Sequence, residues 1–371
     1  MKEFPATNRC RRALVCFGIR PGRRMLTLAQ QPVTSDKRER GLMNIARGIR
    51  LSYPSLVAAF CLCLSADVVS QEWFPTRAVR LIVPFPAGGG SDIVARLLGS
   101  NLSSNWRQQV VVDNRAGAGG IIGTEIAAKS SPDGYTLLFG NTSTLANNIS
   151  LYKKLPYHPI EDFAPVSLIA STPNALMVHP GVPARSVNEL ISLARSRPGS
   201  LTYASAGNGT TAHLSMELFK SLASLDIVNV PYKGNAPALI DLLSGQVQLM
   251  FPTIVSALPH AKSGKLRALA TTGARRSPVL SDVPTMAEAG VSGYESTLWY
   301  GVLAPNKTPG HVVKSLNDEI LKILKNPQIQ DQLVNQGADP IGSTPPEFSI
   351  YLKAEIVKWG KVIQRAGIRV D

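Results

Sequence analysis

Beyond residue 63 this chain of 371 residues has no cysteine; its four, Cys10, Cys16, Cys61 and Cys63, all lie near the N-terminus. The remaining length therefore has no disulfide, no thiol nucleophile and no cysteine-held metal. A cysteine-free body suits an oxidising compartment. The five histidines, at 158, 179, 213, 260 and 311, are scattered without the spacing of metal ligands. Also absent are G-x-x-x-x-G-K-[ST], H-E-x-x-H and G-x-S-x-G, which removes the phosphate-loop, zinc-protease and serine-hydrolase readings. Gly117–Gly123, GAGGIIG, approaches G-x-G-x-x-G but has Ile122 where the third glycine belongs, so the dinucleotide fingerprint is incomplete. No cofactor and no metal are implied. A cleft enzyme, the main rival from another class, lacks both an activated nucleophile and a complete cofactor fingerprint.

Charge is scarce too, at 17% of residues, and hydrophobic content is 44%, as in a well-cored globular protein. The net charge of +14 is unevenly placed: residues 1–70 hold 12 Lys/Arg and 4 Asp/Glu, so they alone carry +8. The other 301 residues have no dense basic run, which argues against a nucleic-acid partner. Arg47 and Arg50 precede the apolar run Leu56–Leu64, with Ser65, Ala66 and Ser70 after it. That is the plan of a secretory signal peptide over about 43–70. The run is far shorter than the roughly 20 residues a membrane-spanning helix needs. Met43 is the expected true start, with 1–42 either a mis-called extension or a disordered segment, and the mature chain is expected to begin near Gln71. The alternative is a buried N-terminal helix.

After residue 72, strand and helix patterns alternate. Val79–Phe85, Gln109–Asp113 and Tyr135–Gly140 read as strands, with helices over Ser91–Leu102 and Gly120–Ala128. Ser186-Val-Asn-Glu189 is a capping box opening a helix to Arg197. Strands at Leu201–Ala206, Ile227–Tyr232, Val247–Phe251 and Leu266–Thr271 alternate with helices at Thr211–Leu222, Ala236–Leu243 and near 257–263. Three helices, near 309–325, 328–336 and 345–366, close the chain. The pattern implies α/β architecture with mostly parallel sheets covered by helices on both faces. Two long extended runs, Val166–Val178 and Tyr294–Leu303, bracket the middle. They predict lobe 1 from 73–172 plus 300–371, lobe 2 from 175–297, and two strands crossing between them as a hinge. Small-molecule sites favour such clefts.

Three strand ends run through small-residue loops into helices: Pro86-Ala-Gly-Gly-Gly-Ser-Asp92, Asn114-Arg-Ala-Gly-Ala-Gly-Gly120 and Ser205-Ala-Gly-Asn-Gly-Thr-Thr211. Glycines allow close backbone approach, and helix N-termini favour negative charge. One such loop is an ordinary tight turn; three, split between the lobes, point to an anion gripped from both sides. Asp92 lies in a first helical turn, where dipole compensation alone accounts for it; loop bracing or ligand contact are its other uses. His213 is either a cleft contact or a structural hydrogen-bonding group. A fourth loop, Pro231–Pro237, offers Tyr232 as a wall and Lys233 as a charge, or simply as an exposed lysine. Trp299 and Tyr300 either line the cleft or pack the core.

The run from Trp73 onward resembles the Bug family, the TctC-like extracytoplasmic solute receptors of tripartite tricarboxylate transporters. The matching stretches are Ala78–Phe85, PAGGGSD at 86–92, NRAGAGGIIGTE at 114–125, SPDGYTLL at 131–138, YASAGNGTTAHL at 203–214, VPYKGNAPALIDLLSGQVQLMF at 230–251 and GKLRALATTGARRSPVLSDVPTMAEAG at 264–290. The resemblance implies a two-lobed periplasmic binding protein of the type II, Venus-flytrap kind. It implies a monomer that delivers a small organic acid to a membrane permease, or presents it to a sensor kinase without transport. A transcriptional effector domain of the same fold would need an N-terminal helix-turn-helix in place of the leader. The family pattern holds its ligand by backbone amides and waters. It places contacts on Phe85, Ala87, Gly88, Gly89 and Gly90, on Ala118 and Gly119, and on Asn141, Thr142 and Ser143. Further contacts fall on Ser205, Gly207, Asn208 and Thr210 with His213, and on Tyr232, Lys233 and Gly234. One departure stands out: Met250-Phe251 continues into Pro252-Thr253 where the family pattern continues into Asp, which disfavours ligands with an amino group near that point.

Overall fold

The computed structural model describes residues 74–365 and 367–368. The expected signal peptide lies outside the described residues. These residues belong to one compact unit, and among them no helix is long and apolar enough to cross a membrane.

The chain builds two sheets. The larger has β1 (Val79–Val83), β2 (Val110–Asn114), β3 (Thr136–Asn141), β4 (Phe163–Pro173), β10 (Thr297–Pro305) and β11 (Asp339–Pro340), in the order β11-β4-β10-β3-β1-β2. The smaller has β5 (Ala175–Val178), β6 (Thr202–Ser205), β7 (Val228–Pro231), β8 (Leu249–Met250) and β9 (Arg267–Thr271), in the order β7-β6-β8-β5-β9. The expectation of mostly parallel sheets needs correction, because both are mixed. β1 pairs parallel with β2 and β3, and β6 with β7 and β8; all pairs involving β4, β5 and β10 are antiparallel. The physical reason is the crossing itself. The chain leaves one sheet through β4 and returns through β10, so those two strands run against each other.

Both faces of each sheet are covered, and strand alternation decides which residues go where. In β1, Leu81 and Val83 join one core and Ile82 the other. The first core is closed by α1 (Gly90–Trp106), α8 (Gly310–Leu324) and α9 (Pro327–Asn335) through Leu98, Leu102, Leu316, Ile320 and Leu333. The second is closed by α10 (Pro345–Arg365), which buries Phe348, Leu352 and Trp359. α2 (Ile121–Ala128) and the short α3 (Asn148–Leu151) complete that side. In the smaller sheet, Leu176 and Val178 face α4 (Val187–Ser196) and α5 (Thr211–Ala223), while Met177 and Met250 face α6 (Asn235–Ser244) and α7 (Ile254–Lys262).

The expected cap on α4 forms, with Glu189 N donating to Ser186 Oγ at 3.2 Å. The Glu189 carboxylate reaches back one residue further than a capping box, to Arg185 N at 2.8 Å. Pattern reading missed a π-helical turn at Ser143–Asn147 and the two-residue β11.

β4 passes directly into β5 through Asn174, and the return runs through Ser296 into β10. A buried network ties these crossings. Asn174 N donates to Thr272 Oγ1 at 2.8 Å, that hydroxyl donates to Ser296 O at 2.5 Å, and the Ser296 and Ser215 hydroxyls lie 2.8 Å apart.

Candidate functional site

Between the ends of the strands lies a narrow cavity of about 30 Å³, space for about two ordered waters at roughly 10–15 Å³ each. Its wall holds residues attached to both sheets. Phe85, Pro86, Gly89, Gly90 and Ser91 follow β1; Asn141 ends β3 and Ser143 follows it; Leu298 lies in β10; Ala206, Thr210, Thr211 and Ala212 follow β6; Asn235 and Thr253 begin two further helices. Asn174 lines the cavity from the crossing strand. The walls are in direct contact around it: Thr211 N donates to Ser143 Oγ at 3.1 Å, and Asn147 Nδ2 donates to Gly209 O at 3.2 Å.

Four helices begin on this cavity: α1 with Gly89, Gly90 and Ser91, α5 with Thr210 and Thr211, α6 with Asn235, and α7 with Thr253. Only α5 carries a side-chain cap, Thr210 Oγ1 accepting from His213 N at 3.4 Å. Uncapped N-termini present unpaired N–H groups and the positive ends of helix dipoles. No charged side chain lines the wall; the one acid in these first turns, Asp92 of α1, is engaged by Gly88, Arg96 and Asn114.

Asn141 is fixed for the same use. Its Oδ1 accepts from Ser143 N at 3.0 Å and Thr144 N at 3.2 Å, and its Nδ2 donates to Ser91 Oγ at 3.3 Å. Asn174 is 1% exposed and its amide oxygen has no hydrogen-bond partner. Gly90 must be glycine. A methyl there would run into Thr253 Oγ1 and lie 2.8 Å from the Tyr300 hydroxyl.

Of the sequence-predicted residues, Phe85, Gly89, Gly90, Asn141, Ser143 and Thr210 line the cavity. The others lie around it. Ala87 and Gly88 are exposed. Asp92 is buried but braces the loop: its Oδ2 accepts from Gly88 N at 2.9 Å and Arg96 Nε at 2.9 Å, its Oδ1 from Asn114 Nδ2 at 3.0 Å. Burial opposes its ionisation, yet these bonds hold its pKa below the ordinary value. Ala118 is exposed, and Gly119 packs against the Asn208 carbonyl of the opposite wall. Thr142 Oγ1 accepts from Trp299 N at 2.9 Å. The Ser205 hydroxyl is buried at the end of β6. Gly207 lies against the Tyr232 carbonyl, and Asn208 Oδ1 accepts from Asn229 Nδ2 at 3.0 Å.

His213 accepts at Nδ1 from Gly209 N at 3.3 Å and stacks on Tyr203. Burial pushes its pKa down. The Tyr232 hydroxyl donates to Asp241 Oδ2 at 2.6 Å; burial and that carboxylate push it up to about 12. Lys233 is exposed, and Gly234 packs on Pro86. Trp299 belongs to the core, donating from Nε1 to Glu355 at 2.9 Å, and Tyr300 stacks on Phe139 behind Gly90. Sequence reading missed Ser91, Asn174, Thr211, Ala212, Asn235, Thr253 and Leu298. Asn174 and Thr253 do each follow a proline, Pro173 and Pro252, the second at the departure from the family pattern.

A family model described as tripartite tricarboxylate transporter family receptor matches residues 94–368. The chain belongs to that receptor family. Among these receptors, protein BugT of Bordetella pertussis is 39% identical over 306 residues, covering 82% of this chain and 94% of its own. An R. palustris protein solved with adipate is 43% identical with a TM-score of 0.78, covering 80% of this chain and 99% of its own. The periplasmic binding protein BugD is 34% identical with a TM-score of 0.77, covering 80% and 99%. The fold is accordingly the two-lobed α/β architecture of the periplasmic binding proteins, and the family is one of solute receptors.

Proposed function

We propose that this protein is a periplasmic receptor that captures a small carboxylate-bearing molecule and delivers it to a permease of the tripartite tricarboxylate type. The observation that carries the reading is the convergence of four helix N-termini on one cavity whose wall has no charged side chain. Backbone N–H groups and helix dipoles supply the attraction for an anion. The presence of such groups on both walls suits an anion with two ends. The similar R. palustris protein was solved with adipate, a dicarboxylate.

In this reading the chain is exported through a signal peptide at about 43–70, is cleaved near Gln71 and acts as a monomer. Residues 73–172 with 300–371 move as one lobe and 175–297 as the other, bending at Asn174 and Ser296. The ligand holds the lobes together and shifts the population to the closed form, which the permease then recognises. Contacts come from Phe85, Gly89, Gly90, Asn141, Ser143 and Thr210, with Thr211, Thr253 and Asn174 added by the geometry. Isothermal titration with mono-, di- and tricarboxylates tests the reading. Saturable binding of one class, with sugars and nucleotides inert, is expected; binding of only sugars or nucleotides contradicts it.

A further inference from the structure

The π-helical turn Ser143–Asn147 follows β3 of the larger sheet, and the loop Gly207–Thr211 follows β6 of the smaller one. Such widened turns are rare and commonly sit at functional sites. Two bonds join the turn to the loop, one from each end of the turn. Thr211 N donates to Ser143 Oγ at 3.1 Å, and Asn147 Nδ2 donates to Gly209 O at 3.2 Å. Between the two anchored loop residues lies Thr210, which lines the cavity with Thr211. Within its own lobe the loop is already braced. Thr210 N and Oγ1 both donate to Gly207 O, at 3.3 and 2.7 Å, and Gly209 N donates to His213 Nδ1 at 3.3 Å. The Gly209 carbonyl is the point at which the other lobe takes hold, and Asn147 is the residue that holds it.

Asn147 is fully buried, yet it is not part of the cavity wall. Its amide oxygen has no hydrogen-bond partner among the described residues. Burying a half-satisfied amide costs stability, so packing does not account for an asparagine here; its bond to Gly209 does. Neighbouring contacts shield that bond. A methyl on Gly209 would lie 2.9 Å from Leu151 Cδ1 and 3.2 Å from Asn148 Oδ1, so the loop sits directly on α3. Gly119 packs on the Asn208 carbonyl, and the Tyr152 hydroxyl donates to the same carbonyl at 3.4 Å.

We infer that Asn147 is a positioning residue that sets the receptor's affinity without touching its ligand, by pinning the Gly209 carbonyl and so holding Thr210 and Thr211 against the bound molecule. Tyr152 supports it from the adjacent carbonyl. The inference rests on the two-lobe receptor reading above. With the lobes apart, both ends of the bond face water and its loss costs nothing. With the lobes together, the bond adds to the closed form alone, and apparent affinity scales with the fraction of molecules in that form. Removing it therefore speeds release of the ligand and leaves capture and the ligand-free fold as they are.

The test uses Asn147→Asp, which keeps the shape but replaces the donor with an oxygen facing the Gly209 carbonyl. Tyr152→Phe, which removes only a hydroxyl, is the second variant and decides the matter if the first does not fold. The probe is whichever of a set of mono-, di- and tricarboxylates binds wild type best. Stopped-flow binding gives the association and dissociation rates, and denaturant unfolding gives the stability of the ligand-free protein. The dissociation constant is expected to rise about tenfold or more in Asn147→Asp and about two- to fivefold in Tyr152→Phe, the scale of a buried hydrogen bond lost. The rise should lie in the dissociation rate, with association and ligand-free stability like those of wild type. Unchanged affinity in the variants overturns the inference. So does a loss of ligand-free stability that equals the loss of affinity, which would make Asn147 a structural residue only. If wild type itself binds no carboxylate, the receptor reading fails and this inference falls with it.

Discussion

Gly90 is where backbone, cavity and core meet, and it admits no side chain. Replacing it with alanine should weaken carboxylate binding at least tenfold and cost about 1–3 kcal/mol of stability, as overpacking does. Calorimetric titration and denaturant unfolding measure the two effects. Asp92 acts one step further out, through the loop it braces. Its folded pKa lies below the unfolded value of 3.8, so its contribution is present above that pH and is lost as pH falls through the folded pKa. The stability gap between wild type and Asp92→Asn should therefore be full near neutrality and shrink below about pH 4. His213 has the opposite charge type and the same sign of slope. Burial lowers its pKa from 6.5, so the unfolded chain takes up the proton first and wild-type stability should fall as pH drops below 6.5. Unfolding curves at stepped pH should show that slope in wild type and a shallower one in His213→Gln. The roles of Asp92 and His213 were only half legible in the sequence. Their helix positions were clear, and Arg96 and Gly209 lie four residues away in sequence, but Asn114 meets Asp92 only in three dimensions.

Helix N-termini are the working elements, and the sequence marked three of the four. The glycine- and threonine-rich loops before α1 and α5 and the loop before α6 announced themselves by composition. The start of α7 at Thr253 did not, because Phe251-Pro-Thr253 carries no glycine signal. The strand pattern also hid the mixed pairing. Period-2 alternation reports which face a residue takes, not the direction of its neighbour. The π-helical turn at Ser143–Asn147 has too few residues to show a period at all. A charge placed on one of these N-termini separates folding from binding. Thr211→Asp puts a carboxylate at the start of α5, where the dipole favours it, and inside the cavity wall, where it repels an anion. The dipole offsets part of the cost of burying that charge, so the loss of stability should stay well below the loss of carboxylate affinity, a drop of about a hundredfold or more, as read by paired thermal and calorimetric runs. Equal losses of stability and affinity would mean that the N-termini are not what attracts the ligand.

At the scale of the whole molecule, the two-lobed plan was legible because the two long extended runs cross between sheets and every helix seals a face. The cavity's chemistry was less so, since backbone groups from distant loops converge there and leave no side-chain code. One consequence is selective. With no acidic side chain in the wall, an ammonium group on the ligand has no partner and loses its hydration. An amino diacid should therefore bind at least about tenfold more weakly than its deaminated analogue in side-by-side titrations. The most direct test of the central claim is a thermal-shift screen of residues 71–371 against about fifty small carboxylates, with sugars and nucleotides as controls. At about 100 times its dissociation constant a true ligand adds about 2.7 kcal/mol, a clear rise in melting temperature. The account predicts that one or a few carboxylates give that rise and the controls do not; a rise with sugars or nucleotides and none with any carboxylate would contradict it.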